Sequence, residues 1–324
     1  MSSSKFARTL AGAAAGLALG AAAIGCGAGA PSAEPASVKL TVTDGFGAKT
    51  LLERSNAKVA GGDTVMRFLQ RNAKVETRYG GGFVQSIDGV KGGREGARPV
   101  DWFYFVNGIL EDEGAGSVDV REGDRVWWDR HDWGSASNTP AVVGSFPEPF
   151  VSGMDGKKFS TRIECDEAID DACDVVQKHF NEDLGLVVGK SRIGTEGGFE
   201  NLRVIVGRWP SVRVDRSLVR IEDGPKSSGV YAKMTKDGKT LTVLNAQGKS
   251  VQELGPGTGL IAATRWREDA PTWVVTGTDD AGVRAAAAAL DESALGEKFA
   301  LAISPEGQAV ALPAPDAPAE GAAG

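Results

Sequence analysis

The sequence predicts an α+β protein in which a small roll is followed by a separate α/β sandwich domain. Three observations carry this: one amphipathic helix among several short strands early in the chain, strands alternating with Asp-led helices later, and a periodicity-free Gly/Ser/Pro stretch between. The first unit is expected over 38–133. It opens with the alternating strand 38–43 and an Asp44-Gly45 turn. Asp63 is a candidate N-cap for a helix whose Val65, Phe68 and Leu69 share one face. Strands are expected at 75–79, 83–87, 101–106 and 125–131.

Residues 134–158 hold Pro140, Pro147 and Pro149 with few periodic apolar positions, so this stretch is read as a linker. The second unit is expected over 159–312. Its first strand is 159–165, and Asp166 caps a helix over 166–181 with Ile169, Cys173, Val176 and Phe180 on one side. The β-branched run 202–207 has the character of a strand buried on both faces. A hairpin turning at Asp237-Gly238 follows, then strands at 260–266 and 273–276. Asp279 or Asp280 starts an Ala-rich helix ending at Leu290, and a last strand pair spans 299–304 and 309–312. Residues 313–324 (PAPDAPAEGAAG) are expected to be a disordered tail.

The start of the chain points to export. Lys5 and Arg8 precede an uncharged Ala/Gly/Leu/Ile run from Leu10 to Ile24, the layout of a secretory signal over 1–25. The run is too poor in strongly apolar residues for a membrane span. Ala23-Ile24-Gly25-Cys26 resembles the lipobox of bacterial lipoproteins, which implies lipid attachment at Cys26 and a cell-membrane location on the extracytoplasmic face. Two or more acyl chains suffice for stable anchoring. Residues 26–37 then read as a flexible tether. The 324 residues carry a formal net charge of -7, so no basic surplus exists to displace counterions from a nucleic acid.

Aromatic residues concentrate in the first unit: Trp102, Phe103, Tyr104, Phe105, Trp127, Trp128 and Trp133. Strand alternation puts Trp102, Tyr104 and Val106 on one face and Phe103 and Phe105 on the other. Such rings serve either as core or as a rigid ligand-reading face. Asp63-Thr64-Val65, Gly82-Phe83, the run from Trp102 to Gly108 and the run from Gly123 to Trp128 together resemble the transcobalamin-like C-terminal domain. The resemblance covers 37–133 and implies a β-grasp-like roll. It also implies a cobalamin or related corrinoid as ligand, and a helical-barrel partner protein, because the chain has no barrel segment of its own. Trp102, Tyr104, Asn107, Trp128 and His131 are the expected ligand contacts.

His131, flanked by Asp129 and Asp132, is either an axial ligand to cobalt or an ion-paired strand end. No metal site is expected, since zinc takes three or four ligands and the other histidine, His179, lies in the other unit. Cys165 and Cys173 admit a disulfide, a metal pair or a nucleophile. On one helix they would lie about 12 Å apart, but a strand-to-helix turn between them allows a bridge, which an oxidising compartment favours. The loops 255–259 and 276–282 lack a Gly-Lys-Ser/Thr signature, and two Asp residues at the helix start disfavour an anion, so capping is expected there. No Gly-x-Ser-x-Gly elbow occurs, and no enzyme is expected. The expected function is lipid-anchored capture of a small, corrinoid-like ligand for a membrane importer or partner protein. The alternative is a non-catalytic envelope assembly or adhesion module binding protein or cell-wall glycan.

Overall fold

The computed structural model describes residues 37–195 and 201–316. Cys26, the expected signal and most of the expected tether lie outside the described residues. In the first half the elements are β1 (Val38–Asp44), β2 (Lys49–Ala57), α1 (Val65–Asn72), β3 (Val75–Arg78) and β4 (Phe83–Ile87). They continue with β5 (Val90–Lys91), β6 (Gly93–Glu95), β7 (Arg98–Val106), β8 (Ile109–Leu110) and β9 (Arg125–Asp132). The second half begins with β10 (Ser160–Cys165), α2 (Asp170–Lys178), β11 (Gly189–Arg192), β12 (Asn201–Arg208), α3 (Trp209–Val212) and α4 (Pro225–Ser228). Then come β13 (Ala232–Met234), β14 (Leu241–Leu244), β15 (Ser250–Leu254), β16 (Gly259–Thr264), β17 (Thr272–Gly277), α5 (Asp280–Ala288), α6 (Glu292–Leu295), β18 (Ala300–Ile303) and β19 (Ala309–Leu312). The class is α+β.

The first sheet runs in the order β2-β1-β9-β7-β6, with β8 paired to β7. Its central strand β9 lies parallel to β1 and antiparallel to β7. The predicted alternation holds: Trp102, Tyr104, Val106, Val126 and Trp128 pack with the α1 residues Val65, Phe68 and Leu69. Helix α1 is capped by Thr64, whose hydroxyl accepts from the Arg67 amide, and not by Asp63. Asp63 instead accepts from the Ala60 amide and pairs with Arg71.

The second sheet has seven strands in the order β11-β10-β12-β17-β16-β18-β19. β11, β10, β12 and β17 are mutually parallel. Helices α2 and α5 cover one face, burying Ile169, Cys173, Val176, Val283 and Ala286 against Ile163, Val204, Val206 and Val275. Cys165 and Cys173 form a disulfide with Cα atoms 6.1 Å apart, because Cys165 ends β10 and the chain turns before α2. The two Gly-rich loops cap rather than cradle. Asp279 accepts from the Gly282 and Gly257 amides, and Gly282 lies so near Thr258 that a Cβ there would sit 2.1 Å from its carbonyl oxygen.

Three expectations are corrected. The sandwich is not a separate domain, since the described residues form one compact unit. Phe105 and Trp127, on the face of the first sheet away from α1, share a core with Trp209, Tyr231, Leu260 and Phe299 of the second half. The stretch 134–158 is likewise no free linker: Ala141, Val142, Val143, Phe146 and Phe150 are buried. Its irregular backbone is secured by bonds such as Val142 N to Gly108 O and Val143 N to Phe299 O. A buried loop carries no periodicity, so composition alone could not distinguish it from a tether. The expected disordered tail is also corrected at its start, for Ala314 N donates to Leu244 O and Asp316 accepts from Asn245. Residues 317–324 lie outside the described residues.

Phe299 is the aromatic hinge of the shared core, with ring centroids 5.0 to 5.6 Å from Phe46, Phe105, Trp127 and His131. Phe299→Ala is expected to cost about 3–5 kcal/mol, the range for deleting a buried aromatic. Denaturant unfolding followed by tryptophan emission and far-UV dichroism should still give one coincident transition. Two separated transitions would show halves that fold independently.

Candidate functional site

The sequence-predicted ligand face does not exist as a surface. Trp102, Tyr104 and Trp128 are 6%, 7% and 2% exposed, because α1 covers the sheet face they occupy. Trp102 Nε1 donates to Val90 O, and the Tyr104 hydroxyl donates to Glu113 O at 2.5 Å. Burial, with Glu111 and Glu113 nearby, pushes the Tyr104 phenol up. The Tyr104 and Trp128 rings stack at 4.9 Å as a directly opposed cross-strand pair. Asn107 is also internal. With Gly108 it forms the turn between β7 and β8, both at positive φ, as a tight hairpin demands. Its side-chain nitrogen donates to Asp124 and Gly153 O, and its oxygen accepts from the Arg125 amide. All four are core or turn residues.

His131 alone among the predicted contacts borders a cleft. That cleft has a volume of about 670 Å³ and lies where the β1–β2 turn, the end of β9, the Gly296–Lys298 segment and residues 311–316 meet. Alternation along β9 places Trp127, Asp129 and His131 on the face away from α1. Asp129 has no solvent exposure. Its carboxylate accepts from the Thr43 hydroxyl, the Phe46 amide at 3.0 Å and the Gly47 amide at 2.9 Å, and lies 2.8 Å from His131 Nδ1. Thr43 in turn accepts from Trp127 Nε1 at 2.8 Å. Four donors for one enclosed carboxylate satisfy a group that is otherwise costly to bury.

The imidazole is held by its flanks as well as by Asp129. Phe103 stacks on it at 4.4 Å and Phe46 lies against it at 4.6 Å. Nε2 takes no hydrogen bond from the described residues, and His131, although only 4% exposed, lines the cleft. The cleft walls carry both signs of charge. Arg130 is committed to Asp44 at 2.8 Å and to Glu95, Glu297 accepts from Thr50 at 2.7 Å, and Asp132 accepts from Gln247. Gly47 is obligatory for the β1–β2 turn to reach the second half, with φ at 80° and a Cβ position 1.8 Å from the Glu297 carbonyl oxygen. Among the described residues no group of three or more His, Cys, Asp or Glu side chains is arranged to hold a metal ion.

Sequence reasoning named Asp129 beside His131 but missed Phe46 and the contribution of residues 296–298 to this site. The alternation of β9 was a signal for Asp129 sharing a face with His131, but nothing local marks Phe46 or Lys298 as their neighbours.

Residues 62–132 match a family described as a domain of unknown function, DUF4430. A protein from Ruminococcus gnavus, solved by crystallography and described as "a putative metal binding protein", is similar over 29% of this chain and 95% of its own, at 15% identity and a TM-score of 0.24. The chain matches no curated protein.

Two outcomes follow from these groups. Asp129→Asn presents an amide NH₂ to backbone donors and should cost about 2–4 kcal/mol. It should also release the imidazole, read as altered His131 ring resonances, which are assignable because the chain has two histidines. Away from the cleft, burial and then the Asp155 charge push the Glu111 carboxyl up from 4.5 to about 7. The folded protein therefore keeps a proton that the unfolded chain has released, and stability falls as pH rises from about 4.5 through about 7. Glu111→Gln should raise Tm at pH 8 and leave it nearly unchanged at pH 4; an equal shift at both would remove this titration as the cause.

Proposed function

We propose that this chain is a lipid-anchored extracytoplasmic binding protein. Its His131 cleft captures a small ligand for a membrane importer or partner protein. The observation that carries the reading is a buried carboxylate that fixes an imidazole between two phenyl rings at the wall of a cleft. An orientation so constrained suits a specific contact, since little side-chain freedom is left to lose on binding. Cys26 and its flanks support the anchor, and the strand order with β9 parallel to β1 supports a β-grasp-like, transcobalamin-like first half. No general acid, base and nucleophile converge here, which favours binding over catalysis. A second reading, an envelope assembly module that binds protein or glycan, is favoured by one observation: Trp102, Tyr104 and Trp128 serve the core.

A corrinoid is the ligand class with a distinctive readout, since its cobalt can accept an imidazole nitrogen. Aquacobalamin titrated into the intact protein is expected to shift its visible absorption bands with the wild type and not with His131→Gln, and to move the His131 resonances. Unmoved resonances with aquacobalamin and cobinamide alike would remove the corrinoid reading. Small-ligand capture then survives only if another small molecule perturbs His131 and loses affinity at least 10-fold in His131→Gln.

A further inference from the structure

A second groove, sharing no lining residue with the His131 cleft, lies at the turn that follows β16. It has a volume of about 600 Å³ and is lined by Arg220, Lys226, Arg265, Trp266, Arg267 and, across from them, the segment around Pro140. Three guanidinium groups, of Arg216, Arg220 and Arg267, lie 5.7, 5.3 and 5.6 Å from the centroid of the single Trp266 ring. Each gains from the indole quadrupole, but they also repel one another.

The carboxylates do not balance this charge. Arg216 pairs with Asp269, and Arg265 lies 3.9 Å from the largely exposed Glu268. Arg220, Lys226 and Arg267 form no ion pair with any described carboxylate. The groove's lining includes only Asp112 and Glu268 as acids against four cationic side chains, in a chain whose net charge is -7. The turn itself is built to hold this arrangement. Arg265 donates to the carbonyls of Asp269 at 2.6 Å and Glu268 at 3.1 Å, and Arg267 is held at φ 53°, a conformation few non-glycine residues adopt.

We propose that the Trp266 groove binds a phosphate monoester through Arg220, Lys226 and Arg267. One carboxylate brings a single charge, against three cations that form no ion pair with a described carboxylate. A phosphate monoester brings nearly two charges and three acceptor oxygens, one for each cation, and guanidinium forks match its geometry. The Trp266 ring in the groove's lining offers an apolar surface to the carbon chain next to the phosphate. The monoester can come from a soluble metabolite or from a lipid headgroup, and the two sources are separable.

Calorimetric titration of the intact protein with inorganic phosphate and glycerol 3-phosphate tests the soluble source. Co-flotation with phosphatidylcholine vesicles, with and without phosphatidic acid, tests the lipid source. Binding in either arm is expected to weaken at least 10-fold in the Arg220→Gln/Arg267→Asn variant and several-fold between 50 and 300 mM salt, roughly as screening of a few ion pairs requires. Asn is chosen at 267 because it tolerates left-handed backbone. Should the double variant lose its native dichroism, exposed Arg267→Asn alone carries the comparison, with at least a 3-fold loss expected. No binding in either arm, or equal affinity in wild type and variant, overturns the proposal.

Discussion

A carboxylate sealed from water at the middle of a protein must be met by donors from every side, and Asp129 is met by four. They come from the end of β1, from the turn that follows it and from its own strand. Satisfying this one group fixes the position of the β1–β2 turn, because two of the donors are successive backbone amides whose direction is set by the positive φ of Phe46 and Gly47. That turn then carries the Phe46 ring into contact with Tyr231 and Phe299. The same carboxylate orients His131. The junction of the two halves and the geometry of the cleft thus share a cause.

The first sheet is covered twice. Helix α1 takes the face bearing Trp102, Tyr104 and Trp128, and the second half takes the face bearing Phe105 and Trp127. A sheet buried on both sides leaves no aromatic face for a ligand, and binding surface must come from its ends and from the seams between elements. Both grooves obey this rule. The His131 cleft sits at the seam of the halves, and the Trp266 groove sits where the turn after β16 meets α4 and the segment around Asn138. Their electrostatic characters differ: mixed and internally paired in the first, cationic and underpaired in the second.

Much of the framework is legible because its signals are local. The β-branched run now seen as β12, the capping Asp279, the Asp237-Gly238 turn and the alternation along β7 each follow from neighbours in sequence, through pleat, dipole and turn chemistry. Strand β2 escaped notice because KTLLERSNA does not alternate; it lies at the sheet edge, where only one flank needs a partner. The stretch 134–158 was misjudged for a related reason. Its buried residues, Val142 and Phe146 among them, follow the irregular path of a loop packed on two cores, and no period records that.

Local sequence sufficed to place Trp102 and Tyr104 on one face and Asp129 and His131 on one face of β9, since alternation is a property of the strand itself. Whether that face meets solvent, helix or another sheet was decided only by tertiary packing. So was the union of Asp129 with amides more than 80 residues away, and of Trp266 with the guanidiniums of Arg216 and Arg220 from an earlier stretch of the chain. Backbone stereochemistry acts between neighbours and is written in their order. Burial and charge compensation act between residues that meet only after the chain has closed on itself, so their outcome belongs to the fold.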